Sequence, residues 1–307
     1  MNRVVCAILV AIIVCIFVGL SFIKLPASKN LIPSTEDKVL VTTSFYPLAD
    51  FAQKIAGKKA EIVNLTPAGS EPHEYEPTPK DLSLVYKSNL FIYNGINLEG
   101  WADKVITELK DTNIKVVKAS DGINTIGEGL RADPHVWLDP VLAQKMVVNI
   151  RDGFIAVDPD NTNDYMQNAD RLIVKLISLD QKYQFPIFEC KQKDIVSSHG
   201  AFAYLSKRYG FLNFSISGVN PDEEPSPQKL TELVDLIKEK GVKYILTETL
   251  VSPKFADTIS KETGAKSITF NTVEGLTPDE LSKGDDYFSI QETNINNLKL
   301  ALECPTN

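Results

Sequence analysis

Three histidines are the residues of this sequence that most clearly could do chemistry. They are His73 in EPHEY, His135 in DPHVW and His199 in SSHGA, and the 307 residues contain no other histidine. Imidazole is the most common metal ligand in proteins, and three imidazoles make most of a tetrahedral zinc site. The three lie far apart in the chain, so a shared site needs a fold that brings three loops together.

Short apolar runs alternate with helical patterns from Val39 onward. This alternation predicts βαβ units with parallel strands, and it begins again after residue 185. We therefore expect an α/β fold with two lobes, each with a roughly four-stranded parallel sheet flanked by helices.

One long helix is predicted between the lobes, over residues 161–184. Leu172, Leu176 and Leu179 recur there at helical spacing. A helix of about 22 residues is about 33 Å long and acts as a rigid connection, unlike a Gly/Ser hinge. The chain is expected to divide into a signal peptide or membrane anchor (1–25), a linker (26–37), an N-terminal lobe (38–160), the connecting helix (161–184) and a C-terminal lobe (185–307).

The predicted positions of the histidines favour a common site. His73 and His199 follow predicted strands, and His135 lies just before a helix with Asp139 as its N-cap and Pro140 as its first residue. Open α/β sheets bind ligands beyond the carboxyl ends of their strands. Two facing lobes would bring all three loops to one cleft, so we expect a metal site between the lobes.

Six stretches of the sequence match those of a known family: VTTSFYPLADFAQKIAG, NLTPAGSEPHEYEPTPKDL, NGINLEGWADK, DPHVWLDPVLAQKM, SSHGAFAYLSKRYG and TISKETGAKSITF. Through them the sequence resembles the metal-binding receptors of zinc and manganese ABC transporters over residues 39–303. The resemblance implies two α/β lobes joined by a long rigid helix, with one metal ion between them. It implies further that His73, His135 and His199 are ligands and that the ion is delivered to a membrane permease.

The fourth ligand is where the sequence departs from that family. The family usually has an Asp in a D-P-L-x-G-L stretch after the last strand, whereas NTVEGL here has Asn271 in its place. Asn271 is a candidate weak ligand, or a group that holds a metal-bound water. Glu248 and Glu71 are candidate carboxylates to complete the shell, with a solvated loop position as the alternative interpretation of each.

Zinc is the predicted cargo. Imidazole suits zinc, whereas manganese prefers carboxylate-rich sites, and the resemblance implies that manganese receptors generally have an acidic residue where His199 stands. We predict an extracytoplasmic receptor that binds one divalent cation for an ABC importer. A manganese receptor is the alternative, and a zinc hydrolase with Glu248 as general base is a less favoured one, so no enzymatic activity is expected.

The composition excludes other classes of partner. The net charge of −8 is not that of a basic nucleic-acid-binding surface. The sequence contains no P-loop, dinucleotide-binding fingerprint or nucleophile elbow. We expect a monomer whose partners are the permease and the metal ion.

The apolar run at residues 4–23 indicates where the protein works. Its 20 uncharged residues are long enough to cross a bilayer, which favours an uncleaved anchor over a cleaved signal. The remainder is then expected to face the periplasm or the cell surface. In such an oxidising compartment Cys190 and Cys304 would either form a disulfide or remain two thiols, and the sequence leaves both open.

Overall fold

The computed structural model describes residues 38–185 and 187–305. Eight strands in this part of the chain form two four-stranded sheets, and every strand pair in them is parallel. The predicted α/β fold with two lobes is confirmed. The apolar run at 4–23 lies outside the described residues. Within residues 38–185 and 187–305, no helix is long and apolar enough to cross a membrane.

The first lobe is built on a sheet with strand order β2-β1-β3-β4. Its strands are β1 (Val39–Thr43), β2 (Ala60–Asn64), β3 (Leu90–Tyr93) and β4 (Lys115–Lys118), and the helices between them are α1 (Tyr46–Ala56), α2 (Pro79–Val85) and α3 (Ala102–Leu109).

The second lobe repeats this topology, with strand order β6-β5-β7-β8. Its strands are β5 (Asp194–Ser197), β6 (Leu212–Ser215), β7 (Tyr244–Thr247) and β8 (Lys266–Thr269), and its helices are α6 (Ala203–Tyr209), α7 (Pro227–Lys240), α8 (Lys254–Thr263), α9 (Pro278–Lys283) and α10 (Tyr287–Ala301).

Two consecutive helices connect the lobes, α4 (Pro140–Val157) and the 22-residue α5 (Thr162–Tyr183). The second is the long helix predicted over 161–184. Its leucines at 172, 176 and 179 are buried, as their spacing predicts. Helix α5 packs against its partner α4, against α1 of the first lobe and against α10 of the second. It therefore stabilises both lobes as well as joining them.

One apolar core runs through both lobes. Trp137 lies at its centre and is completely buried. Its indole N–H donates to the Thr272 carbonyl at 2.8 Å, and its own carbonyl accepts from the Tyr287 hydroxyl at 2.6 Å. Both partners belong to the second lobe, so the lobes cannot separate without exposing Trp137 and breaking these bonds.

A disulfide between Cys190 and Cys304 decides the question that the sequence left open. It connects residues 114 positions apart and ties the start of the second lobe to the segment after α10. A crosslink that closes so long a loop restricts the unfolded chain and thereby stabilises the folded one.

Candidate metal centre

Four side chains direct one ligand atom each at a common point, and these atoms all lie within 4.8 Å of one another. The Nε2 atoms of His73 and His199 are each 3.2 Å from His135 Nε2. Glu274 Oε1 is 3.1 Å from His135 Nε2 and 3.7 Å from the other two Nε2 atoms. Ligands about 2.0–2.1 Å from a tetrahedral zinc ion are about 3.3–3.4 Å apart, so these separations suit a tetrahedral zinc site.

Both lobes contribute to this cluster. His73 lies in the loop between β2 and α2, and His135 comes directly before the 3-10 turn Val136–Leu138 that leads into α4. His199 is two residues past the end of β5, and Glu274 lies in the loop between β8 and α9. The structure therefore brings together the three histidines that the sequence singles out, in the predicted cleft between the lobes.

Carboxylates behind two of the histidines fix the direction of the imidazole rings. Asp133 Oδ1 is 2.7 Å from His135 Nδ1, and a carboxylate oxygen of Glu248 is 2.8 Å from His199 Nδ1. A carboxylate at Nδ1 accepts the proton there, and this leaves the Nε2 lone pair facing the centre of the cluster. Asp133 also accepts the backbone N–H of His135 at 2.9 Å, which holds the loop as well as the ring.

Glu274 is a completely buried carboxylate. The imidazoles of His135 and His73 face its oxygens, and Glu71 is hydrogen-bonded to it as well. Burial opposes ionisation, but hydrogen bonds from His135 and His73 lower the pKa of Glu274 well below its usual range. A buried anion is costly unless a positive charge compensates it, and a divalent cation at the centre of the cluster would do so.

The imidazoles differ in their affinity for a proton. Burial disfavours a charge on His135, but Asp133 and Glu274 together raise its pKa to about 10. Burial lowers the pKa of His73. Among the protein groups alone, His135 thus holds a proton at neutral pH at the position where a metal ion needs its lone pair.

Asn271, predicted as a candidate ligand, does not join the cluster. Its Oδ1 accepts the Val273 N–H at 2.7 Å, and its Nδ2 donates to Thr249 Oγ1 at 3.1 Å and to Glu280 Oε1 at 2.9 Å. The oxygen and the nitrogen of the Asn271 amide are therefore both hydrogen-bonded to protein groups. The carboxylate in the cluster is Glu274, three residues further along the chain.

Glu248 and Glu71, the two carboxylates predicted to complete the shell, also lie outside the four-residue cluster. Glu248 lies behind His199 and contacts its Nδ1, outside the four-residue cluster. Glu71 accepts the backbone N–H of His73 at 3.1 Å and lines a cavity of about 370 Å³. Burial and the nearby Glu274 raise the pKa of Glu71 to about 9, so it is protonated at neutral pH.

Sequence reasoning missed Glu274, although a signal was present. Glu274 is the only acidic residue in the stretch 270–278, between the last strand and α9. The family's Asp corresponds to Asn271, the first residue of NTVEGL, and Glu274 stands at the variable fourth position of that stretch. Which of these residues faces the cleft depends on the path of the loop backbone.

Comparisons with known proteins agree with the fold and with zinc binding. The family described as zinc-uptake complex component A periplasmic matches residues 41–301. The high-affinity zinc uptake system protein ZnuA of Bacillus subtilis (strain 168) is 38% identical over 292 residues, covering 90% of this chain and 91% of that protein. The zinc-binding lipoprotein AdcA of Streptococcus pneumoniae (strain ATCC BAA-255 / R6) is 37% identical over 279 residues; the match covers 86% of this chain and 56% of AdcA.

Solved structures of similar proteins share the fold of this chain. The Zn(II)-bound ZnuA-like domain of Streptococcus pneumoniae AdcA superimposes with a TM-score of 0.78 at 38% identity, covering 87% of this chain and 99% of that chain. The laminin-binding protein Lmb of Streptococcus agalactiae, described as having adhesin and metal transporting activity, gives a TM-score of 0.78 at 32% identity and covers 86% and 99%.

Removal of the carboxylate behind His199 should weaken zinc binding without removing a ligand. We expect Glu248→Ala to raise the zinc Kd by about 10–100-fold, because the His199 ring loses its orientation. A competition titration against a chromophoric chelator measures this. Glu262→Ala, on the exposed face of α8, is the control and should bind zinc like the unmodified chain. Equal affinities in both variants would contradict a role for Glu248.

Zinc binding should release at least one proton at pH 7. The proton on His135 must leave before its Nε2 can bind, so zinc affinity rises with pH up to the raised pKa of His135. Titration calorimetry in two buffers of different ionisation enthalpy measures the number of protons released. Equal observed enthalpies in the two buffers would show that His135 is already neutral.

Proposed function

Because this chain belongs to the family of periplasmic zinc-uptake complex component A, we propose that it is the zinc receptor of an ABC importer. It binds one zinc ion outside the cytoplasm and delivers it to the permease in the membrane. The observation that carries this proposal is the convergence of three imidazole nitrogens and one buried carboxylate oxygen, all within 4.8 Å of one another.

The ligands of the ion are His73, His135, His199 and Glu274. The other three ligand atoms are 3.1–3.2 Å from His135 Nε2, and Glu274 Oε1 is 3.7 Å from the Nε2 atoms of His73 and His199. These separations leave room at the centre for an ion with short bonds. Asp133 and Glu248 orient two of the imidazoles and do not bind the ion themselves.

The donor set favours zinc over manganese. Three of the four atoms are imidazole nitrogens, which suit zinc, whereas manganese prefers oxygen donors and more of them. A single ionised carboxylate, Glu274, leaves part of the charge of a divalent ion uncompensated. Incomplete compensation of its charge suits an ion that the receptor must later release.

The site is that of a receptor rather than an enzyme. A catalytic zinc keeps one coordination position open for water or substrate, whereas here four protein atoms complete the tetrahedron. Glu248, the residue that a hydrolase would use as general base, is engaged by His199 Nδ1. The chain therefore binds and releases the ion without chemical change.

The shared core limits how the ion is released. Trp137 contacts Thr272 and Tyr287 of the second lobe, and the Tyr204 hydroxyl donates to the Asp133 carbonyl of the first at 2.7 Å. A wide opening of the lobes would break all of these contacts. We propose that the loop carrying His73 rearranges while the lobes stay packed.

The Cys190–Cys304 disulfide agrees with a location outside the cytoplasm, because such bonds persist in oxidising compartments. We propose that residues 4–23 tether the receptor to the membrane. The net charge of −8 supports the further proposal that it binds no nucleic acid. We also propose that the receptor acts as a monomer.

A metal competition titration tests the function. The purified chain, stripped by a chelator, should bind one zinc ion tightly and manganese far more weakly. His135→Ala removes the central ligand and should raise the zinc Kd by roughly a thousandfold or more, about 4 kcal/mol. Manganese affinity equal to that for zinc would overturn the choice of metal, and unchanged affinity in His135→Ala would overturn the site.

A further inference from the structure

We propose that Asn271 is a positioning residue, which holds the loop that presents Glu274 to the metal ion. The inference rests on the proposed function, because it takes Glu274 as the fourth zinc ligand. Asn271 stands at the position where the resemblance to the family implies a ligand, and the proposal gives it a positioning role instead.

The loop between β8 and α9 contains an unfavourable backbone conformation directly before Glu274. Val273 has a φ of 57°, in the left-handed region that β-branched residues rarely adopt. Its N–H donates to Asn271 Oδ1 at 2.7 Å. A side-chain acceptor two residues earlier closes a local turn of the kind that Asn commonly forms, and this bond holds Val273 in its turn.

The other end of the same amide connects the two ends of the loop. Asn271 Nδ2 donates to Glu280 Oε1 at 2.9 Å. Glu280 belongs to the first turn of α9, and its Oε2 accepts the backbone N–H of Thr277 at 2.7 Å in a capping box. One carboxylate thus binds the start of the loop through Asn271 and its end through Thr277.

Backbone contacts fix the residues just before Glu274. The N–H of Asn271 donates to Asn294 Oδ1 at 2.9 Å, and Asn294 Nδ2 donates to the Asn271 carbonyl at 2.7 Å. The Thr272 carbonyl accepts from Trp137. Because these contacts hold the backbone directly before Glu274, the loop sets where the Glu274 carboxylate lies.

Asparagine suits this position because one short side chain offers an acceptor for Val273 and donors for Glu280 and Thr249. Alanine loses all three bonds. Serine keeps an oxygen that can accept from the N–H two residues on, and it loses the donors at Nδ2.

A double-mutant cycle tests the inference on the full-length protein. The zinc Kd is measured for the unmodified chain, Asn271→Ala, Glu274→Ala and the double variant. We expect Asn271→Ala alone to raise the Kd by about 10–100-fold, as loss of an orienting partner does. In the Glu274→Ala background the same change should have less than about a threefold effect, because the group it positions is absent.

Cobalt(II) absorption gives a readout that a merely structural role would not change. The visible spectrum of the cobalt-loaded Asn271→Ala variant should resemble that of Glu274→Ala, since both lose the carboxylate ligand. Asn149→Ala is the matched control, because it removes amide donors to the Ala119 and Asp121 carbonyls in the first lobe. Its Kd and spectrum should equal those of the unmodified chain.

Three results would overturn the inference. One is an unchanged Kd in Asn271→Ala, and another is an equal loss of affinity in both backgrounds. The third is an unchanged Kd in Glu274→Ala, which would remove Glu274 from the proposed ligand set and so contradict the proposed function first. If Asn271→Ala does not fold, Asn271→Ser replaces it in the same cycle, with a smaller expected loss and the same dependence on Glu274.

Discussion

Four ligand atoms meet at one buried point, three imidazole nitrogens and the carboxylate oxygen of Glu274, and a positive charge there makes that meeting favourable. Buried lone pairs repel one another, and a buried carboxylate without a compensating charge costs several kcal/mol. The rest of the fold has to hold this arrangement while no ion is bound. The ion in turn contributes a free energy that stabilises the loops carrying its ligands.

The fold meets that requirement because the four ligand residues lie in loops, and the sheets, the shared core and hydrogen-bonded side chains hold those loops in place. Two sheets of equal topology direct the carboxyl ends of their strands toward one cleft. Trp137, two residues after a ligand, is packed into the core that both lobes share. Asp133 and Glu248 orient imidazoles from behind, and Asn271 holds the turn before the carboxylate. Each ligand group other than His73 therefore has an identified partner that sets its direction.

The sequence was sufficient for the fold and for three of the four cluster residues, because those features depend on residue type and periodicity. Alternating apolar runs predict the two lobes, and the scarcity of histidine marks the cluster. Glu274 was not identified because its direction depends on the left-handed turn at Val273, which no residue type there predicts. The pairing of Cys190 with Cys304 also could not be derived, because two residues 114 positions apart pair only if the fold brings them together.

X-ray absorption at the zinc K-edge of the protein loaded with one equivalent of zinc tests the central claim most directly. We expect four light-atom ligands at about 2.0–2.1 Å, with the outer-shell scattering of three imidazole rings. Glu274→Ala should keep the three-imidazole signal and lose the carboxylate oxygen. A spectrum with fewer than three imidazoles, or one that Glu274→Ala leaves unchanged, would contradict the site described here.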